Sequence, residues 1–151
     1  MNKPILCLDF DGVIHSYTTP WQEASIIPDP PVPGALEFIV KALRSFDVCI
    51  FSSRSHKLGG KRAMKRYLIQ HFENLARTYE TTPEWLRVEI RAFADPWELQ
   101  VEYDVRRLVR AIRWPYFKPP AKISIDDRAL TFTGTFPEIK MLQEFKPWNK
   151  T

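Results

Sequence analysis

Four short apolar runs constrain this chain more than any other feature: Ile5 to Leu8, Val48 to Phe51, Ile123 to Ile125, and a weaker Leu130 to Thr133. They are read as near-continuous rather than alternating. Runs of this kind read as strands buried on both sides, as parallel strands covered by helices are. The intervening segments supply the helices. Pro28-Asp29-Pro30-Pro31-Val32-Pro33-Gly34 is stiff and extended, and after it Ala35, Leu36, Ile39, Leu43 and Phe46 recur at helical spacing.

A second helix is expected from about Lys61 to Arg77, with Met64, Tyr67, Leu68, Phe72 and Leu75 on one face. Thr82-Pro83-Glu84 opens a third, carrying Leu86, Ile90 and Phe93. Asp95-Pro96-Trp97-Glu98 has a capping-box pattern and opens a fourth, with Trp97, Val101, Val105, Leu108 and Ile112 as its core stripe. Helices alternating with buried strands predict an α/β fold with a mainly parallel sheet.

The 151 residues, 44% of them hydrophobic, suffice for one domain spanning 1–151, within which 80–113 covers the sheet or forms a small helical lobe. No apolar stretch approaches the ~20 residues of a membrane span, and the N-terminus lacks a signal-peptide pattern. A cytoplasmic location and no membrane partner are expected. Cys7 and Cys49 lie inside strand-like runs and read as reduced core residues. Thirteen prolines against five glycines argue against a flexible low-complexity chain.

Chemistry in open α/β sheets collects at the carboxyl ends of the strands. Here the first run ends in Asp9-Phe10-Asp11-Gly12, the second in Ser52-Ser53-Arg54 and the third in Asp126-Asp127-Arg128. Residues i and i+2 of an extended segment point the same way, so Asp9 and Asp11 face one pocket while Gly12 lets the chain turn. Four carboxylates at two strand ends repel one another unless a cation lies between them, and hard oxygen donors suit Mg²⁺.

This arrangement resembles the haloacid dehalogenase-like superfamily of phosphatases and phosphotransferases, whose four motifs would span Leu6 to about Leu130. The resemblance implies a Rossmann-like three-layer sandwich that is capless or carries a minimal helical cap. It further implies Asp9 as nucleophile, Asp11 as general acid/base, Ser52 as a phosphoryl-binding hydroxyl, and Asp126 and Asp127 completing a Mg²⁺ site with Asp9 and Asp11. The phosphate-neutralising lysine is Lys118, in a Lys-Pro element like that of family members, or Lys122 at the start of the third strand. Backbone and side chains around Phe10, Ser53 and Arg54 complete the phosphate site, Ser52-x-Arg54 resembling the phosphatase domains of polynucleotide kinase-phosphatases. A surface Arg at a helix start is the other reading of Arg54.

The activity so implied is Mg²⁺-dependent phosphomonoester hydrolysis through an aspartyl phosphate, with Asp11 entering protonated because neighbouring anions raise its pKa. Phosphotransfer, a small-metabolite or nucleotide phosphatase, and a phospho-acceptor or phosphate-binding module are the alternatives. Arg128 is expected as a buried counter-charge, and His15 as a structural or rim residue. Two basic runs, Arg54 to Arg66 and Arg106 to Lys118, flank the strand ends of a chain with net charge +4 and admit nucleic acid as a partner.

Overall fold

The computed structural model describes residues 2–77, 80–91 and 101–150. It is a mixed α/β structure in which β1 (Ile5–Leu8), β2 (Asp47–Ile50) and β3 (Ile123–Ile125) form a parallel sheet of order β2-β1-β3. The register pairs Leu6 with Val48 on one side and with Ile123 on the other. Beyond β2, Arg113 makes a single parallel bridge with Cys49, its N–H donating to the Val48 carbonyl at 2.8 Å. The chain from 114 to 122 therefore passes from one side of the sheet to the other.

Five α-helices are present among the described residues. Helix α1 (Ala35–Ser45) starts after Gly34, and Glu37 in its first turn with Arg44 in its last complements the helix dipole. Its Ile39 and Val40 are fully buried. Helix α2 (Gly60–Leu75) buries Met64, Leu68 and Phe72 and packs on α4 (Val101–Arg110), which contributes Val105, Leu108 and Val109. Helix α3 (Glu84–Arg91) packs on α1 and α4, with Leu86 fully buried. All four share one core with Leu6, Leu8, Val48 and Ile50 of the sheet. Both cysteines are buried and free. The expected capping pattern Asp95 to Glu98, with Phe93 and Trp97, lies outside the described residues.

Two sequence expectations are corrected, and one helix is added. β3 is not buried on both faces: Ile123 is 54% and Ile125 38% exposed, because β3 pairs only with β1 among the described residues. Leu130 to Thr133 forms no strand and is solvent-facing, with Leu130 54% exposed. A short helix not foreseen, α5 (Ile139–Glu144), follows without a single buried residue. After it the chain returns to the first strand end. Trp148 donates its indole N–H to the Gly12 carbonyl at 2.7 Å, Asn149 donates to the carbonyls of Ser16 and Tyr17, and Lys150 donates to Tyr17 at 2.8 Å. No described helix is long and apolar enough to cross a membrane.

Candidate active site

Parallel strands of this order put the ends of β1, β2 and β3 side by side, and a cavity of about 300 Å³ opens there. Asp9, Asp11, Ser52, Ser53, Lys118, Asp126 and Arg128 line it, joined by Cys7, Tyr17, Trp21 and Ser124. Carboxylate oxygens of Asp9, Asp126 and Asp127 all lie within 4.8 Å of one another. The Asp127 carboxylate packs closely against the turn after β1. A Cβ on Gly12 would stand 2.2 Å from its Oδ2, and Gly12 itself has φ +84, so this position requires glycine on two counts.

The electrostatics of the triad are those of crowded, partly buried carboxylates. Burial, followed by the charges of Asp126, Asp127 and Asp11, pushes the Asp9 pKa up to about 7, although the Phe10 amide donates to it at 2.7 Å. Asp127 is raised too, chiefly by burial, and neither of its buried oxygens has a hydrogen-bond partner. An orphaned buried carboxylate beside two others, all hard oxygen donors, fits Mg²⁺. These three side chains would hold it.

Asp11 departs from expectation. Its carboxylate turns from the triad to Arg54, whose Nε donates to both oxygens at 3.1 and 2.8 Å, and to His15 Nδ1 at 2.8 Å. Burial alone would raise its pKa, but these hydrogen bonds outweigh it and hold the group below the ordinary carboxylate value. The proton expected on Asp11 is therefore absent in the free protein. His15, fully buried, accepts the Asp29 backbone N–H at Nε2, which assigns the Nδ1–H tautomer that donates to Asp11.

Arg54 is also placed differently from both sequence readings. It is 1% exposed, absent from the cavity wall, and its Nη1 donates to the carbonyls of Glu23, Ala24 and Ile26 while the guanidinium stacks 4.5 Å from Trp21. Gly60 admits this arrangement, since a Cβ there would meet the Arg54 carbonyl at 2.0 Å. Ser52 starts a 3₁₀ turn (Ser53–His56) through a reciprocal cap: its Oγ accepts the Arg54 N–H and its N–H donates to Ser55 Oγ.

Of the two lysines, Lys118 lines the cavity. Lys122 does not, and its backbone N–H pairs with Ile5. Phe10 presents no side chain to the cavity, its ring being wholly buried in the core. Arg128 is exposed rather than buried, with Nε 4.0 Å from Asp127. Sequence reasoning did not find Tyr17, whose φ of 54 sets a non-glycine residue in the left-handed region at the cavity wall.

The chain matches no protein-family model, no curated protein and no solved structure.

Proposed function

We propose that this chain is a Mg²⁺-dependent phosphomonoesterase of the haloacid dehalogenase-like type, built on a Rossmann-like sheet and acting through an aspartyl phosphate on Asp9. The observation that carries the reading is the cavity itself: a crowded carboxylate triad, a capped serine and a lysine converge at three adjacent strand ends. Anionic oxygens on the substrate require that mixture of cation, hydroxyl and ammonium donors, while the nucleophile must stay a bare carboxylate. When bound, the metal ion neutralises the triad and the phosphoryl oxygens.

Asp9 then attacks phosphorus, the ester P–O bond breaks, and the alcohol oxygen leaves with a proton. Ser52 and Lys118 orient the equatorial oxygens. In the second half Asp11 removes a proton from the water that attacks phosphorus, phosphate departs, and the Asp9 carboxylate is restored. Arg54 and His15 keep Asp11 ionised, which suits it to this base step. The proton that the leaving oxygen needs must come in with the substrate monoanion or be taken up by Asp11 at low pH, so good leaving groups are favoured.

The test is turnover of p-nitrophenyl phosphate with Mg²⁺. The rate should vanish in EDTA and in Asp9→Asn, whose amide cannot attack phosphorus, and alkyl phosphates should react more slowly than aryl ones. An Asp9→Asn protein that retains substantial turnover overturns the covalent mechanism. A wild-type protein that binds phosphate with Mg²⁺ yet turns nothing over leaves a phosphate-binding module instead.

A further inference from the structure

The two basic runs meet in space along one side of the cavity. Lys61 of α2 donates to the Trp114 carbonyl at 3.0 Å and sits 3.0 Å above the Tyr116 ring, and Lys65 one turn on lies 5.8 Å from Trp114. Nearer the cavity, His56 packs against Phe117 with centroids 6.0 Å apart, and Lys57 lies 4.5 Å over Trp21, itself part of the cavity wall. Phe117 is 78% and Tyr116 62% exposed, whereas Trp114 packs against the core.

At the far end of the row a recess of about 290 Å³ is lined by Lys65, Ile69, Arg110 and Trp114. The buried indole N–H of Trp114 has no acceptor. Lys65 and Arg110 together make this recess a place for an anionic oxygen. No carboxylate interrupts the sequence from 54 to 72 or from 105 to 118.

Exposed rings alternating with cations, beginning at a phosphate-sized cavity and ending at an anion recess, match one polymer better than others. Phosphates meet the ammonium and guanidinium groups while unpaired bases stack on the rings. A phosphopeptide has no regular succession of flat faces, and a duplex hides its own. We propose that Trp21, Phe117 and Tyr116, with Lys57, Lys61, Lys65 and Arg110, form a track for single-stranded polynucleotide leading out of the cavity. This rests on the phosphomonoesterase reading only in that the strand's terminal phosphate would enter the cavity.

The experiment is fluorescence anisotropy of labelled dT10 on wild-type protein in Mg²⁺-free buffer, across a salt series, beside abasic decamer and inorganic polyphosphate. Binding of dT10 should weaken steeply with salt and exceed that of the abasic strand by about tenfold or more. The double variant Tyr116→Ala/Phe117→Ala should lose at least about tenfold for dT10, and Lys65→Glu/Arg110→Glu should flatten the salt dependence, both with unchanged circular dichroism. No binding of dT10 at low salt, or equal binding of dT10, abasic strand and polyphosphate, overturns the track. Aryl phosphate turnover by wild type is measured alongside. Turnover without dT10 binding removes the track and leaves the phosphatase, whereas dT10 binding without turnover keeps the track and removes the phosphatase.

Discussion

Arg54 directs its guanidinium wholly into the protein, joining the Asp11 carboxylate to three carbonyls of the 23–26 loop and the face of Trp21. A planar fork is required for that, so lysine is no substitute. Arg54→Lys should lose stability, and Arg54→Ala should lose about 3–5 kcal/mol, because Asp11 is left as an uncompensated buried charge. Urea titration measures it, and a loss below about 1 kcal/mol for Arg54→Ala would refute the clamp.

Asp9 makes a second residue-scale prediction. Its proton persists to about pH 7, and a cation must displace it. Mg²⁺ affinity should therefore rise by about tenfold per pH unit below 7 and level off above. Calorimetric titration from pH 5 to 8 that shows no slope below 7 would contradict the assignment of Asp9 as a ligand.

Among the elements, the segment after α5 reaches back to the loop beside the site. Trp148, Asn149 and Lys150 fasten Gly12, Ser16 and Tyr17, so the loop that seats Asp127 and holds Tyr17 at φ 54 is tied from 130 residues away. A left-handed non-glycine residue costs about 1–2 kcal/mol, and these contacts offset it. Trp148→Ala should raise amide exchange through residues 12–17 and weaken Mg²⁺ binding while leaving α2 protected. Exchange in the loop equal to wild type would show that the strap bears no load.

Strands β1 and β2, α1 and α2 were legible because their signals are local: apolar runs and a 3.6-residue period. The acidic and serine strand ends were legible for the same reason. The clamp on Asp11 was not, since Arg54 lies 43 residues away and nothing near either residue marks the pairing. Crowding by anions suggested a protonated Asp11, yet hydrogen bonds from Arg54 and His15 outweigh it. β3 reads as buried because Ile123 and Ile125 are apolar, but exposure depends on what the rest of the chain places beside it, which periodicity does not encode.

For the molecule as a whole, three crowded carboxylates are a standing repulsion that a bound Mg²⁺ would relieve. Mg²⁺ at about 100 times its dissociation constant should stabilise by about 2.7 kcal/mol. Asp127→Asn should raise the melting temperature of the metal-free protein, at roughly 2–4 °C per kcal/mol, and abolish the rise that Mg²⁺ brings. A metal-free variant that melts below wild type would argue against repulsion at the site.

The strap has a consequence for biosynthesis. Asp9 is made before the two carboxylates that stand beside it, Asp126 and Asp127, and before the residues at 148 to 150 that fix its loop. Translation thus delivers the proposed nucleophile about 120 residues before the carboxylates that would complete its ion site. A chain synthesised only as far as α2 lacks Asp126, Asp127 and the strap, so the proposed ion site is complete only once residues 126 to 150 have been made.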